Sequence, residues 1–336
     1  MADYAGVLVY GEFGDGKLSA IARELLGIGR KLADELGEHL SIVLVGSGAQ
    51  AHGQEAIACG AEKVYIVGDV PSESYEGASY AAIMERLCRE TVRPAILLLG
   101  HTLTGRDLAP KLAFRLETGL VTDCIWLGLD PESKALLGKR PVAGGNVQAT
   151  YRVESARPQL ATIRSKAMEP LERDDIRSGE VLHLSAGVDV SAVRVKVLES
   201  VREETTGPKL EDAEIVVSGG RGIGSPADFK SYITQGLGKV LGAAVGGTRA
   251  AVDLGLITEQ QQIGLTGKII SPDLYFAIAL SGAAQHISGC SGAKHIVAIN
   301  KDENAPIFAH AEFGIVGDYK KVLPALTEKL KQVLSS

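Results

Sequence analysis

The sequence has few aromatic and few sulfur-containing residues: Phe, Trp and Tyr make up 5% of its 336 residues, and it has four cysteines. Cys59, Cys88, Cys124 and Cys290 are scattered along the chain, without a C-x-x-C pair or the spacing of a zinc site. This pattern argues against a disulfide framework and a bound metal. It favours a reducing compartment, such as the cytosol or the mitochondrial matrix.

Long apolar runs and a surplus of basic residues are lacking as well. The longest apolar stretches, such as Ala95–Gly100 and Leu274–Leu280, are far shorter than the roughly 20 residues that span a bilayer. The N-terminal stretch has no basic region followed by an apolar core, so we expect no secretory signal. The formal net charge of −6 argues against nucleic acid as a partner, because phosphate binding requires a basic face. We therefore expect a soluble, cytoplasmic protein.

Glycine, in contrast, is abundant, with 40 residues, and short β-branched runs alternate with amphipathic helical patterns. This alternation predicts an α/β protein in which mostly parallel sheets are flanked by helices. In the first half, the pattern predicts strands at Gly6–Tyr10, Ser41–Val45, Lys63–Val67, Ala95–Leu99, Val121–Leu129, Gln148–Val153, Leu160–Ile163, Val181–Leu184 and Arg194–Leu198. The helices predicted there are Lys17–Leu36, Ala49–Cys59, Tyr80–Arg89 and Arg106–Leu116.

A polar stretch that ends in Gly207-Pro208 predicts a linker between two domains. We place the first domain at residues 1–204 and the second at 205–336. In the second domain, the strands predicted are Glu214–Ser218, Ala243–Gly246, Lys268–Ser271, Tyr275–Leu280, His295–Ile299 and Ile315–Val316. Helices are predicted at Pro226–Leu241 and Lys320–Leu334.

The turn Gly219–Gly224 lies between the first strand and the first helix of the second domain. Glycines at such a turn can expose backbone N–H groups, and the helix N-terminus favours a diphosphate. Arg221 adds a full positive charge. The spacing is not a clean G-x-G-x-x-G match, and a tight turn that merely needs glycine explains the pattern equally well.

Other loops with small and polar residues follow most of the predicted strands of the second domain. They are Val245–Arg249, Gln260–Lys268, Ser281–His286, Asn300–Asp302 and Gly314–Asp318. Ligands of open α/β sheets bind at the carboxyl ends of the strands, so the convergence predicts a nucleotide cofactor site. Taken alone, Arg249 would form an ion pair with Asp253 at i+4, and His286 would be a structural histidine.

These motifs, in this order, resemble the alpha subunit of electron-transfer flavoproteins, and the resemblance covers nearly the whole chain. The matching segments are Ser218–Gly222, VGGTRAAVD at Val245–Asp253, Gln262–Lys268, Leu274–His286, IVAINKDENAPIF at Ile296–Phe308, FGIVGDYKKVLP at Phe313–Pro324 and, in the first domain, Gly105–Cys124. The resemblance implies that the C-terminal domain is a dinucleotide-type domain that binds FAD. It also implies a heterodimer with a homologously folded beta subunit, which the first domain contacts.

The resemblance implies three sets of cofactor-binding residues and no catalytic residue. The diphosphate and ribityl chain would meet Arg221, Ser281, Gly282, Ala283 and Ala284. The isoalloxazine would be surrounded by Thr248, Arg249, Ile263, Gly264, Leu265, Thr266, Gln285 and His286. Asn300 and Asp318 would hold the adenosine part, and Tyr319 belongs to the cofactor-binding set.

Flavin chemistry suggests roles for three of these residues. His286 would donate near N1 and the C2 carbonyl, with a larger effect if it is protonated and shielded from water. Arg249 would raise the flavin potential through its charge, and Thr266 would donate near N5 or O4. The flavin itself performs the redox chemistry.

The partner implied by the resemblance is an acyl-CoA dehydrogenase or a similar dehydrogenase, and two versions of the carrier stay open. In the simple carrier the beta subunit holds AMP. In the flavin-bifurcating version it holds a second FAD that takes hydride from NADH, with ferredoxin or a quinone reductase as a further partner. Leu265 stands where many members carry glutamine, and this resembles the bifurcating kind. An NAD-dependent oxidoreductase on the same kind of domain is the alternative, but we find no clear acid–base pair for hydride transfer.

Overall fold

A computed structural model of the chain describes residues 4–14, 16–70, 74–142, 147–154, 156–187, 195 and 208–334. These residues form two compact units: the described residues up to 195 belong to the first unit, and residues 208–334 belong to the second. The predicted domain boundary after residue 204 lies outside the described residues. The same holds for the predicted linker before Pro208 and for the predicted strand at 194–198, apart from Val195.

The strands of the first unit form a seven-stranded parallel sheet, a three-stranded antiparallel sheet and a short hairpin. They are β1 (Val7–Gly11), β2 (Phe13–Gly14), β3 (Lys17–Leu18), β4 (Leu40–Val45), β5 (Lys63–Val67), β6 (Ile96–Gly100), β7 (Leu120–Cys124), β8 (Trp126–Leu129), β9 (Leu136–Val142), β10 (Val147–Arg152), β11 (Gln159–Ile163) and β12 (Glu180–His183). The parallel sheet has the order β12-β5-β4-β1-β6-β11-β7. Its central strands are buried along their whole length, as a sheet covered on both faces requires.

Helices cover both faces of this parallel sheet. They are α1 (Ala20–Leu36), α2 (Gly53–Ala58), α3 (Gly77–Arg86) and α4 (Leu103–Arg115). The Ser19 hydroxyl caps α1 by accepting a hydrogen bond from the amide of Ala22, and Gly37 ends the helix with a left-handed φ of 70°. α1 and α2 pack in one apolar core, and α3 and α4 pack in a second core on the opposite face.

The antiparallel sheet, in the order β10-β9-β8, contains β9, which the sequence did not predict. The short strands β2 and β3 were not predicted either, and the helix predicted from Lys17 begins at Ala20. β9 has the sequence LLGKRPV, in which glycine, two cations and proline interrupt the apolar pattern of a buried strand. An antiparallel sheet with one face open to solvent tolerates such residues, so pairing with β8 and β10 decides the conformation.

The second unit is a five-stranded, entirely parallel sheet. Its strands are β13 (Ile215–Gly219), β14 (Ala244–Gly247), β15 (Leu274–Ile278), β16 (His295–Asn300) and β17 (Phe313–Val316), in the order β14-β13-β15-β16-β17. Its first helical segment is continuous over 226–241, where α5 (Pro226–Asp228) and α6 (Lys239–Leu241) flank a π-helical stretch at Phe229–Gly238. The helices that follow are α7 (Arg249–Asp253), α8 (Ala284–Cys290) and α9 (Tyr319–Leu334).

The fold class predicted from the sequence, two α/β domains with mostly parallel sheets flanked by helices, is confirmed. One predicted strand of the second domain, Lys268–Ser271, is wrong. The β-pairing of this segment is an isolated bridge between Lys268 and Ile263. The amide of Ile270 donates to the carbonyl of Gly289 at 2.8 Å. Its apolar residues therefore attach a loop to α8 instead of extending the sheet. Among the described residues, no helix is long and apolar enough to cross a membrane.

Candidate functional site

The candidate site lies at the carboxyl edge of the second sheet. The chain first adds β14 on one side of β13 and then crosses to β15 on the other side, so its direction across the sheet switches between β13 and β15. A crevice forms outside the carboxyl ends of the strands at such a switch point, and open α/β sheets bind ligands there. The loops that follow β13 and β15 therefore form the two sides of the candidate site.

The glycine turn after β13 packs directly against the end of β15. The amides of Gly220 and Gly222 donate to the carbonyls of Ile278 and Ala279 at 2.9 and 3.1 Å. A Cβ atom on Gly220 would lie 2.5 Å from the carbonyl oxygen of Ala279, so no side chain fits there. Of the two interpretations of this turn, these contacts favour close packing: the two amides are bonded within the domain, and glycine is needed there. The side chain of Arg221 is exposed at this turn.

The loop after β15 leads into α8. Ser281 is exposed, and its carbonyl accepts a hydrogen bond from the amide of Ile307 at 2.9 Å. Gly282 has a φ of 81° and leaves no room for a side chain beside Ile307. Ala283 and Ala284 are exposed, and Ala283 has no side-chain oxygen with which to cap α8. Small, uncapped residues at a helix start leave room for an anionic group.

Thr248 and Arg249 follow β14. The Thr248 hydroxyl caps α7 by accepting from the amide of Ala251 at 3.3 Å. Arg249 forms the i+4 ion pair that its sequence context suggested, with 2.8 Å between its Nε and Oδ1 of Asp253. Both side chains are more than half exposed, so this pair contributes little stability and leaves Arg249 accessible.

The loop at 262–268 joins this region to α8. The amide of Ile263 donates to the carbonyl of Gly247 at 2.9 Å, and the amide of Leu265 donates to the carbonyl of Gln285 at 2.8 Å. Nε2 of Gln262 donates to the Thr266 hydroxyl at 2.9 Å. Gly264 and Ile263 are buried, whereas the side chains of Leu265, Thr266 and Gln285 are exposed.

His286 is buried and has two hydrogen-bond partners within the domain. Its Nε2 lies 2.6 Å from the Tyr275 hydroxyl, and its Nδ1 lies 2.9 Å from the carbonyl oxygen of Ile263. Burial lowers the pKa of His286 to about 4, and the hydrogen bond to Ile263 only partly opposes this shift. The ring is therefore neutral at pH 7, and both nitrogens already have partners within the domain. The condition for a larger effect, a protonated ring, is therefore not met at pH 7 in this arrangement, and the contact of His286 with the flavin stays a prediction.

The two residues expected near adenosine, and the predicted cofactor residue Tyr319, have structural partners as well. Nδ2 of Asn300 donates to the carbonyl of Leu280 at 2.9 Å, which joins the ends of β15 and β16. The Asp318 carboxylate accepts from the amide of Lys320 at 2.9 Å in the first turn of α9, and it is exposed. The Tyr319 hydroxyl is buried and donates to the carbonyl of Ile223 at 2.8 Å, so this ring supports the glycine turn.

The carboxyl edge thus presents accessible side chains from five separate loops, four of which carry hydrogen-bond donors. The predicted site residues exposed there are Arg221, Arg249, Leu265, Thr266, Ser281, Ala283, Ala284, Gln285 and Asp318. Two guanidinium groups, two hydroxyls and an amide form a donor set that suits a dinucleotide with an anionic diphosphate and a polar ring edge. Sequence reasoning missed Tyr275, because an aromatic residue inside an apolar strand gives no sign of a polar partner.

The chain is similar to known proteins over its whole length. The family model described as "Electron transfer flavoprotein domain" matches residues 7–188, and "Electron transfer flavoprotein FAD-binding domain" matches residues 209–291. A relative named electron transfer flavoprotein subunit alpha, from Thermoanaerobacterium thermosaccharolyticum, is 44% identical over 99% of this chain and 100% of its own length. A protein of the same name from Megasphaera elsdenii is 42% identical over 99% and 98% of the two chains. Protein FixB from Clostridium saccharobutylicum is 39% identical over 100% and 99%. These similarities do not favour an NAD-dependent oxidoreductase.

Proposed function

Because this chain belongs to the electron transfer flavoprotein family, as an alpha subunit, we propose that it holds FAD at the carboxyl edge of its second sheet, in the crevice between β13 and β15. Electron transfer through FAD is the function of the family. The proposed location of FAD is supported by the exposed hydrogen-bond donors that four loops bring to this edge of the sheet. FAD, when bound, supplies the electron chemistry, and the protein supplies binding, orientation and charge.

The exposed residues suit two parts of the cofactor. Arg221 and the uncapped start of α8, at Ala283 and Ala284, suit the diphosphate, because one brings a positive charge and the other brings backbone amides. Arg249, Thr266 and Gln285 suit the ring system, because each can place a hydrogen atom or a positive charge beside a carbonyl oxygen or a nitrogen. Gly282 brings backbone close to the site, and Asn300 and Tyr319 hold the loops on which the other residues stand.

Alpha subunits of this family pair with a beta subunit and exchange electrons with redox partners. For this chain we infer that the first domain, residues 1–204, makes the contact with the beta subunit and that the second domain, from residue 205, carries the FAD. An acyl-CoA dehydrogenase or a similar dehydrogenase is the partner that we propose. Leu265 stands where many members of the family carry glutamine, and this resemblance to the bifurcating kind favours that version over the simple carrier.

The experiment that tests this function is the purification of the chain together with its beta subunit. We expect a yellow complex with a flavin absorbance spectrum, and a colourless but folded heterodimer would contradict the proposal. Counting the flavins and adding NADH without oxygen separates the two versions. Two FAD per heterodimer that are bleached by NADH indicate bifurcation, and one FAD without a response to NADH indicates a simple carrier.

A substitution of Arg249 by alanine tests the proposed role of its charge. We expect a lower flavin potential, because about 1 kcal/mol of electrostatic stabilisation for one electron, roughly 40 mV, is removed at a partly solvated site. The stability of the second unit should hardly change, since the pair with Asp253 is exposed. Redox titration of the FAD-loaded complex measures the potential.

The matched control for Arg249→Ala is Lys294→Ala. Lys294 also forms an exposed ion pair, with 2.8 Å between its Nζ and Oδ1 of Asp273, but it directly precedes β16 and thus lies at the opposite, amino edge of the sheet. This variant should leave the potential unchanged. An equal shift in both variants would mean that Arg249 acts only through the net charge of the domain.

A further inference from the structure

One face of helix α4, in the first unit, carries large apolar side chains that are exposed to solvent. Leu103, at the start of the helix, is 80% exposed, and Phe114, near its end, is 85% exposed. Pro110 between them is exposed as well. A helix turns by about 100° and rises about 1.5 Å per residue, so these three side chains lie along one line of about 16 Å. Arg106 lies beside this line, one turn after Leu103. We call these four residues the α4 stripe.

The stripe is not the face that holds α4 in the first unit. The buried side chains of the helix, which pack in the core that it shares with α3, are Leu108, Ala109, Leu112 and Ala113. Leu103 and Phe114 do not contribute to this core, so the fold of the unit does not account for them. Several large apolar side chains on one exposed face are typical of a surface that another protein covers.

The charged residues of α4 differ in their partners. Nζ of Lys111 lies 2.7 and 2.6 Å from the two carboxylate oxygens of Asp107, and Nη1 of Arg115 lies 2.9 Å from Oε2 of Glu85. Arg106, in contrast, is exposed and forms no ion pair with any residue that the structure describes. Arginine and aromatic side chains are enriched at the centres of protein interfaces. The stripe therefore suits a partner that brings a carboxylate to Arg106 and apolar pockets to its neighbours.

The apolar character of the stripe favours a permanent partner. Interfaces of permanent subunits are more apolar than those of transient electron-transfer complexes, so a subunit fits better than a dehydrogenase that associates and leaves. A second copy of this chain fits poorly, because a symmetric contact would place the same stripe opposite, which contains Arg106 and no carboxylate. Alpha subunits of the electron transfer flavoprotein family have a permanent partner in the beta subunit.

We propose that the α4 stripe is a contact surface for the beta subunit, whose facing surface offers apolar pockets to Leu103 and Phe114 and a carboxylate to Arg106. The inference rests on the proposed function, in which the first domain contacts the beta subunit. The two large side chains supply apolar area at the centre of the contact. The ion pair of Arg106, shielded from water there, fixes the register of the two surfaces.

The labelling rate of an introduced thiol tests whether the stripe is covered. The four native cysteines are buried, so a surface thiol reacts with a maleimide before they do. In Phe114→Cys we expect labelling at least about tenfold slower in the heterodimer than in the full alpha chain alone, because the centre of an interface excludes solvent. Ile176→Cys is the matched control, since Ile176 is 94% exposed in the same unit but lies outside the stripe. Its rate should be equal in both samples.

A charge reversal tests the proposed ion pair. Arg106→Glu should raise the dissociation constant of the two subunits more than about tenfold, because it places two carboxylates opposite each other in a water-excluded contact. The control is Arg23→Glu, which makes the same change at an exposed position of α1, on the opposite face of the first sheet. That variant should bind the beta subunit as the wild type does.

The outcomes separate this inference from the proposed function. Equal labelling of Phe114→Cys in both samples, or equal dissociation constants for the two charge reversals, would overturn the inference while a yellow wild-type heterodimer keeps the proposed function. Slow labelling of Phe114→Cys already in the alpha chain alone would overturn it as well, because the cover would then be a second copy or another part of the same chain. A colourless wild-type heterodimer contradicts the proposed function instead.

Discussion

Replacement of Gly282 by alanine is expected to destabilise the second unit by about 3 kcal/mol and to release most of its FAD. Gly282 has a φ of 81°, and an added Cβ would lie 2.5 Å from the amide nitrogen and 2.6 Å from the Cα of Ile307. The left-handed conformation costs about 1 kcal/mol for a residue with a side chain, and overlap with a fixed backbone adds about 1–3 kcal/mol. Ile307 is itself buried and bonded to the carbonyl of Ser281, so it cannot move away without breaking the loop.

Urea denaturation with pulsed hydrogen exchange measures the loss of stability of the second unit, because the peptides of the labelled protein report on the two units separately. Flavin fluorescence of the same samples reports the release of FAD. Gly255→Ala is the matched control: Gly255 has a φ of 67°, but a Cβ there would meet no atom within 4 Å. We expect this control to lose only about 1 kcal/mol and to keep its FAD. Equal losses in the two variants would show that backbone conformation, and not the contact with Ile307, makes Gly282 necessary.

Replacement of Asp123 by asparagine is expected to destabilise the first unit by about 3–5 kcal/mol, the usual effect of removing one partner of a buried ion pair. The Asp123 carboxylate accepts two hydrogen bonds from Arg164, at 2.9 Å from Nε and 2.7 Å from Nη2, and both residues are buried. Asparagine tolerates the left-handed φ of 58° at this position and has nearly the same volume. The loss should therefore come from the missing charge and not from strain or a cavity.

The control for Asp123→Asn is Asp34→Asn, in the same unit. Asp34 pairs with Arg30 on α1 at 2.8 Å, but its side chain is 66% exposed. An exposed pair contributes less than about 1 kcal/mol, so this variant should unfold almost as the wild type does. Hydrogen exchange of peptides from β7 and β11 in increasing urea measures both variants. A loss of less than about 1 kcal/mol in the free energy of unfolding of Asp123→Asn would mean that the other contacts of Arg164 are enough to stabilise its buried charge.

The sequence predicted most strands of the parallel sheets within one or two residues, because a strand buried on both faces is a short, nearly continuous apolar run. Lys63–Val67 was predicted with the observed bounds. Where the apolar pattern was mixed, prediction was wrong or incomplete: β9 was missed, and Lys268–Ser271 forms a loop attachment. Pairing with the neighbouring strands β8 and β10 decides the conformation of β9, and the hydrogen bond from Ile270 to Gly289 holds the other segment. The apolar pattern within each segment does not contain these partners.

For the candidate site, the sequence by itself determined which loops meet, because parallel strands bring their carboxyl ends to one edge of the sheet. It determined the family as well, since the motifs at these strand ends lie in the expected order. Only the tertiary structure decided where each side chain goes. Burial of the His286 ring beside Tyr275 makes it neutral and fastens it to Ile263, whereas Arg249 stays at the surface with Asp253. The physical reason is that burial and hydrogen-bond partners arise from packing between distant segments, and they decide whether a polar residue meets a ligand or supports the loop that does.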